Sequence, residues 1–193
     1  MNGTLELAFD KHGAAGATRI ARLHQAAPLR ALFPETCRMD LPVAALTATC
    51  GGFTGGDHMT TRIEIGENAS AMAVAQAAEK LYRSRAGETR ICIDLRVDAG
   101  GWLEWLPQET ILFDGARMRR DNRIDLAGDA ALLAGEILVF GRAARGERMN
   151  RGLIHDGWSI RLDDRLVWAD RFHAEDDMLA AALHGQDHRK AAE

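Results

Sequence analysis

The sequence has 193 residues, a formal net charge of −4 and three cysteines. This length suits one domain and is sufficient to bury a hydrophobic core. The negative charge argues against binding to nucleic acid or to an anionic membrane surface, and the odd number of cysteines without a CxxC pair fits a reducing compartment. Because charged residues interrupt the first apolar segment and no stretch reaches transmembrane length, we expect a soluble cytoplasmic protein.

Alternation of apolar and polar residues predicts short strands at the start of the chain. Residues 4–9 alternate, and residues 18–24 alternate again with a change of phase that indicates a bulge. Residues 28–33 begin with Pro28 and are typical of an edge strand, because proline cannot donate a hydrogen bond to a neighbouring strand.

A glycine-rich segment, CGGFTGGD at residues 50–57, separates an apolar strand at residues 43–50 from a strand that begins at His58. It is no phosphate-binding loop, since neither the lysine nor a helix start follows. Glycine adopts backbone angles that other residues avoid and permits close approach of another segment. We interpret the segment as a tight connection that presents Asp57 and His58 at its exit.

The middle of the chain combines a predicted helix with a predicted hairpin. Residues 68–84 are rich in alanine, with apolar residues at helical spacing, so local propensity predicts a helix. Residues 90–97 and 102–113 are predicted strands that a turn at residues 98–101 joins into a β-hairpin. Pro107 interrupts the second strand, which is therefore expected to bend or to change its pairing partner.

The last third is predicted to contain further short strands and two helical segments. Asp129 is placed to cap a helical turn at residues 130–133, and Asp176 or Asp177 to cap a helix that stops at Gly185. The predicted strands are residues 117–126, 136–140, 158–162 and 166–169.

The sum of these elements is about ten short strands with few helices, which predicts a mainly β, irregular multi-stranded fold with one or two short helices. The strands do not alternate with long helices, so a parallel doubly wound sheet is not expected. No repeat of fixed period is present. We expect a β domain at residues 1–172, followed by a short helix and polar tail at residues 173–193.

Enzymatic chemistry finds little support in the sequence. None of the three serines, Ser70, Ser84 and Ser159, lies in a GxSxG nucleophile motif. A small metalloenzyme would need at least three convergent ligands, and the sequence contains no HxH or HExxH motif. We therefore predict that the protein is not an enzyme.

A basic segment, GRAARGERMNRG, carries an arginine at every third position. Two interpretations remain open. The segment is either a solvated basic loop or a docking surface for an acidic partner, and in the second case Arg142, Arg145 and Arg148 bind that partner.

Four segments occur in sequence, GGFTGGD at residues 51–57, QAAEKLYRS at 76–84, LEWLPQETILFDGA at 103–116 and GRAARGE at 141–147. In their order and spacing they resemble the urease accessory proteins of the UreD type, also called UreH. Each motif is weak alone, but four in register over about 100 residues argue against chance. The resemblance extends over roughly residues 5–170.

The resemblance implies a scaffold without enzymatic activity, which binds apo-urease together with UreF-like and UreG-like proteins and assists nickel delivery to the urease active site. It also implies a β-helical fold with an internal channel for the metal, in which residues 69–75 form a strand instead of a helix. Family members usually continue with further strands, so a shortened member or a truncated sequence is expected. The alternative is a β-rich interaction module without a metal role.

We expect nickel in transit and no tightly bound cofactor. An ion in transit requires ligands that bind weakly enough to release it, such as water and single carboxylates. Asp57, which glycines hold at the mouth of a strand, is the first candidate for this path. Glu147, at the end of GRAARGE, is the second candidate, and His58 is the third. The competing interpretations are a turn-forming role for Asp57, whose side chain can accept hydrogen bonds from nearby backbone amides, and a surface histidine at position 58.

Overall fold

Strands dominate the structure, a computed structural model that describes residues 1–13, 16–35 and 41–184. The described residues form fifteen strands, one 3₁₀ turn at Ala143–Arg145 and one α-helix, α1 (Asp176–His184). The strands are β1 (Asn2–Lys11), β2 (Thr18–Ala26), β3 (Leu29–Leu32), β4 (Val43–Ala48), β5 (His58–Ile65), β6 (Ser70–Ala75), β7 (Glu79–Leu81), β8 (Thr89–Val97), β9 (Trp102–Leu106), β10 (Thr110–Leu112), β11 (Arg117–Leu126), β12 (Ala131–Ala134), β13 (Leu138–Phe140), β14 (Leu153–Leu162) and β15 (Arg165–Glu175).

The chain winds into a three-sided β-solenoid. Each full coil contributes one strand to a seven-stranded sheet, one to a five-stranded sheet and one to a three-stranded sheet. The full coils are β5–β6–β7, β8–β9–β10 and β11–β12–β13, and their equivalent strands pair in parallel. Antiparallel strands β2 and β15 form the two edges of the seven-stranded sheet. The prediction of a mainly β, β-helical fold is confirmed.

The coils differ in length. His58 pairs with Arg90 and Arg90 pairs with Arg119, so these two coils are 32 and 29 residues long. The next step, from Arg117 to its partner Leu153, takes 36 residues. A structural repeat is therefore present without a sequence repeat of fixed period.

The core lies along the axis of the solenoid, where the inner faces of the three sheets meet. Leu7, Ile63, Leu95 and Ile124 are paired neighbours on β1, β5, β8 and β11, and all four are buried. Each such side chain contributes roughly 1.5–3 kcal/mol by leaving water. Side chains alternate between the two faces of a strand, so the pairing register of the parallel strands decides which residues face inward. In the observed register the inward apolar residues of successive strands lie directly next to each other.

The predicted hairpin is wrong. The two segments that it would join, β8 and β9, lie in different sheets, and the turn between them is a corner of the solenoid. Gly101 N–H donates to the Asp98 carbonyl within this corner, while Trp102 N–H donates to the Ala69 carbonyl of the preceding coil. The corner is therefore held by neighbouring coils, and the chain continues around the axis.

Both predicted helices in the middle of the chain are also wrong. Residues 68–84 contain β6 and β7, and residues 130–133 fall largely in β12. In β6 the buried alanines Ala71 and Ala73 pair with Leu103 and the bulky Trp105 of the next coil. Helix propensity differs by only a few tenths of a kcal/mol among most residues, so burial between two coils overrides it.

Several local predictions are confirmed. The strand after Pro28 is β3, at the edge of the five-stranded sheet. On β2 the pairing skips Ala21, which is the predicted bulge. Beyond Pro107 the chain leaves the five-stranded sheet and enters the three-stranded sheet as β10, so it does change partners.

The C-terminal part of the described chain ends in helix α1, whose Leu179 is fully buried while Met178 faces solvent. The predicted stop at Gly185 and most of the predicted polar tail lie outside the described residues. In the part of the chain that the structure describes, no helix combines the length and apolar character needed to cross a membrane.

We expect the 193-residue chain to self-associate through β15. All residues of this edge strand except Ala174 are exposed, including Trp168 with 47% of its surface accessible. Exposed strand edges pair with other chains.

Light scattering over a concentration series measures this association. Trp168→Lys should weaken it, whereas Leu23→Lys, a change on the exposed face of the opposite edge strand β2, should leave it intact. A monomer at all concentrations would contradict the expectation.

Candidate functional site

An internal cavity of about 230 Å³ lies between the three sheets. Its lining includes inward residues of four successive strands of the seven-stranded sheet, from Leu5 on β1 to Arg120 on β11. With neighbouring strands about 4.8 Å apart, the cavity extends over roughly 14 Å along the axis. The exposed residues Ala77, Lys80 and Gln108 also line it, so the cavity reaches the surface where the five-stranded and three-stranded sheets meet.

The glycine-rich connection forms part of this wall. Phe53 N–H donates to the Lys80 carbonyl and the Phe53 carbonyl accepts from Tyr82 N–H, so the connection pairs with the next coil. Gly52 has φ +142°, and a Cβ atom there would lie 2.5 Å from the Lys80 carbonyl oxygen. Glycine at this position is therefore required by both backbone angle and close approach.

One buried arginine organises the polar end of the cavity. Arg120 Nε donates to Asp156 Oδ1 at 3.2 Å, and Nη1 donates to Thr110 Oγ1 at 3.2 Å. Its Nη2 bonds to both Asp156 Oδ2 and Glu136 Oε2. Arg120 is 4% exposed and Asp156 is 3% exposed. Buried charges are stable only when paired and hydrogen-bonded in this way.

The remaining polar groups of the cluster extend this network, with one exception. Trp158 Nε1 donates to Glu136 Oε1 at 2.8 Å, and Asn122 Nδ2 donates to Asp156 Oδ1 at 3.2 Å. Asn122 also lines the cavity, and its buried Oδ1 accepts no hydrogen bond from the described residues. Buried polar atoms normally have a partner. This carbonyl oxygen is therefore a buried acceptor without a hydrogen-bond donor in the described part of the chain.

Three carboxyl groups share the single guanidinium of this cluster. Burial raises the pKa of Glu79 from 4.5 to about 7, against the attraction of Arg120. Burial also raises the pKa of Glu136 to about 6, with Arg120 opposing the shift and Asp156 adding to it. Glu79 retains accessible surface because it borders the cavity, while protein surrounds its carboxyl group. Near neutral pH Glu79 therefore exists in both its protonated and its ionised form.

The sequence interpretation missed this cluster, although β11 carries a signal for it. Arg120 and Asn122 alternate in phase with the buried Met118 and Ile124, which places both polar residues on the inner face. A charged residue at an inward position requires a buried partner. That partner, Asp156, pairs with Arg120 across β11 and β14, 36 residues further along the chain, and local alternation could not identify it.

Asp57 lies outside the cavity lining, in a turn before β5. It is buried, Thr54 N–H donates to its Oδ2 at 2.9 Å, and its own N–H donates to the Thr54 carbonyl. The Met1 ammonium group contacts Oδ1 at 2.5 Å. Both carboxylate oxygens therefore accept hydrogen bonds, and the bond from Thr54 N–H is the one that a turn-forming aspartate would make. A role of Asp57 in a metal path stays a prediction.

The other two predicted metal residues lie on the surface, away from each other. His58 is exposed beside a shallow depression lined by Gly87, Glu88 and Arg90. Glu147 follows β13, in the third full coil, and accepts a hydrogen bond from Arg142 Nε at 2.7 Å. Among residues 1–13, 16–35 and 41–184, no three His, Cys, Asp or Glu side chains are grouped closely enough to hold a metal ion.

The predicted docking arginines lie in a tight loop after β13. Arg142, Arg145 and Arg148 are all exposed, and Arg142 stacks on the Phe113 ring with its guanidinium carbon 4.2 Å from the centroid. Gly146 ends the 3₁₀ turn in the left-handed conformation. The loop is thereby fixed in shape, and partner binding by these arginines stays a prediction.

Comparison with known proteins places this β-solenoid, whose internal cavity is polar at one end, in a family. The chain belongs to the UreD urease accessory protein family, whose model matches residues 1–192. The resemblance inferred from four motifs is confirmed.

Three curated relatives illustrate the similarity. Urease accessory protein UreD of Magnetococcus marinus is 38% identical over 185 residues, which cover 95% of this chain and 63% of that protein. UreD of Rhodopseudomonas palustris (strain BisA53) is 45% identical over 90% of this chain and 60% of its own length. UreD 2 of Methylorubrum populi is 41% identical over 99% of this chain and 66% of its own length. The chain thus spans about two thirds or less of the length of these relatives.

Arg120→Met should strongly destabilise the fold. It removes the guanidinium and leaves Asp156 buried without its ion-pair partner, which costs about 3–5 kcal/mol. The midpoint of thermal unfolding should fall by roughly 6–20 °C for a chain of this size. Arg123→Met on the same strand faces solvent and should change stability by less than about 0.5 kcal/mol. Circular dichroism melting curves with equal shifts for both variants would contradict the role of Arg120.

Glu79 should make the stability decrease as the pH rises. Its pKa is raised on folding, so the folded state holds the proton more tightly, and the free energy of unfolding falls from about pH 4.5 to about pH 7. The loss across this window is about 3 kcal/mol. The Glu79→Gln variant has no proton to release at this position, so this decrease in the free energy of unfolding should be absent. The variant should therefore be more stable than the wild type above pH 7.

Denaturant unfolding at pH values on both sides of this window measures the difference. Glu67→Gln, a change at an exposed position, is the matched control and should retain the wild-type slope. Parallel curves for the wild type and Glu79→Gln would disprove the assignment.

Proposed function

We propose that this chain is a urease accessory scaffold without enzymatic activity. It binds apo-urease together with UreF-like and UreG-like proteins and assists nickel delivery to the urease active site. The observation that supports the nickel role is the internal cavity whose lining includes Glu79, Glu136 and Arg120. Nickel is cargo in transit here, and no tightly bound cofactor is proposed.

The chemistry of the cluster suits a cation that must enter and leave. Two carboxylates that line the cavity, Glu79 and Glu136, offer oxygen ligands, which bind nickel less tightly than thiolates, and no third His, Cys, Asp or Glu of the described residues is grouped with them. Glu79 and Glu136 have raised pKa values, so an arriving dication replaces protons and is released when they return. The fixed charge of Arg120 lowers the net negative charge of the cluster and so limits the affinity.

The partner role is supported by the family and by the basic loop. The curated relatives are named urease accessory proteins, and assembly with other proteins is implied by that name. Arg142, Arg145 and Arg148 present positive charge on a loop of fixed shape, which favours an acidic surface on the partner. The alternative, a β-rich interaction module without a metal role, would also use this loop, but it does not explain the polar end of the cavity.

Glu79→Gln should impair urease activation without impairing partner binding. The variant keeps the size of the side chain but removes its exchangeable proton and its charge, so we expect about a tenfold loss at limiting nickel, equivalent to about 1.4 kcal/mol. The measurement is urease activity after coexpression with the urease and accessory genes of the same genome, with pull-down of the UreF-like protein in parallel. Glu67→Gln is the control.

The same assay contains two further tests. If Glu79→Gln activates urease at the wild-type rate and still pulls down the UreF-like protein, the metal role of Glu79 is rejected. The remaining candidate is then the β-rich interaction module without a metal role. If the wild-type chain does not pull down the UreF-like protein, the partner assignment itself is wrong. Asp57→Asn tests the path proposed for Asp57, because it keeps the turn but removes the charge. Unchanged activation at limiting nickel would exclude Asp57 from the path.

A further inference from the structure

We infer that His155 and His173 form a surface binding site for a late first-row transition-metal ion. They are directly paired across the antiparallel strands β14 and β15, and their ring centroids lie 5.5 Å apart with an interplanar angle of 67°. The site lies on the outer face of the seven-stranded sheet, because Asp156, the next residue along β14, points into the core. It is therefore separate from the internal cavity. Only the choice of nickel as the ion rests on the proposed function.

The separation of the two rings suits one shared ion. Metal–nitrogen bonds are about 2 Å long and a ring centroid lies about 1 Å behind each nitrogen, so two imidazoles on one ion have centroids roughly 4.5–6 Å apart. The observed 5.5 Å falls within this range. His155 is half-buried and His173 is exposed, so one ring is fixed by its surroundings while the other is free to adjust.

The charged neighbours of the histidine pair carry both signs. Arg119 lies beside His155, and its Nε donates to Glu88 Oε1 at 3.1 Å, an oxygen that also accepts a hydrogen bond from Arg90. On the other side, Arg171 Nε and Asp121 Oδ1 each lie 3.5 Å from the position that a Cβ atom of Gly157 would occupy. Carboxylates as well as guanidinium groups therefore border the pair.

The same neighbours favour the uncharged imidazole, which is the form that binds metals. The pKa of His155 is lowered by partial burial, then by Arg119 on β11 and by Arg171 and His173 on β15, while Asp121 on β11 opposes the shift. The lowered pKa of His155 therefore favours its uncharged imidazole, whose nitrogen lone pair can bind a metal. This supports the site, which stands on the register and the spacing of the rings.

The ligand set predicts which ions bind. Two imidazole nitrogens with water in the remaining positions favour copper over nickel and nickel over manganese, and they offer nothing to magnesium or calcium, which prefer oxygen ligands. With only two protein ligands the ion exchanges readily. Such a site suits collection of nickel at the surface more than permanent storage.

The experiment titrates the tag-free 193-residue chain with nickel chloride. Paramagnetic broadening of imidazole proton signals in NMR spectra identifies which of the seven histidines binds the ion, and isothermal titration calorimetry gives the affinity. We expect the signals of His155 and His173 to broaden first. His155→Ala and His173→Ala should each lower the nickel affinity at least tenfold, while His24→Ala, a change on β2, should not.

Two results would overturn the site. One is first broadening at another histidine in the wild-type chain, a measurement that needs no variant to fold. The other is an unchanged nickel affinity in both alanine variants. The outcome is independent of urease activation, because the isolated chain is used and the signals of His155 and His173 are observed directly.

Discussion

The buried guanidinium of Arg120 is the interaction on which the last coil depends. It joins β11 to Asp156 on β14, to Thr110 on β10 and to Glu136 at the corner between β12 and β13. Removing these groups from water is expensive, and the cost is offset only while all partners are in place. The relative position of these four segments is therefore fixed more tightly than apolar packing alone would fix it.

The fixed hydrogen-bonding geometry of Arg120 and its partners also explains why the cavity extends to this end of the core. Inward residues stack in columns, and the column of Met59 and Ile91 continues directly into Arg120 and Asp156. Aliphatic side chains pack against any apolar neighbour, whereas a guanidinium and carboxylates must keep a fixed hydrogen-bonding geometry. The column therefore changes from apolar to polar along its length, and the cavity borders both parts, since Met59, Ile91 and Arg120 all line it.

Local patterns in the sequence predicted strands well and connections badly, for a physical reason. The turn at residues 98–101 has the same chemistry whether the next strand folds back or continues around a corner. The choice is made by hydrogen bonds of Trp102 to Ala69 and of Ala131 to Gly101, about 30 residues away on either side. The same argument applies to the site, because the partners of Arg120 lie on other coils, where alternation along one strand carries no information about them.

Stacking in register also determines the chemistry of the outer surface. The row that crosses the sheet through Arg90, Arg119, His155 and His173 places four basic residues side by side. Like charges directly opposite each other destabilise a sheet. Two features relieve the repulsion here, since Glu88 accepts hydrogen bonds from both arginines and the lowered pKa of His155 favours its uncharged form. The antiparallel pairing of β14 with β15 extends this row to His173, so the paired histidines are a consequence of how the solenoid is built.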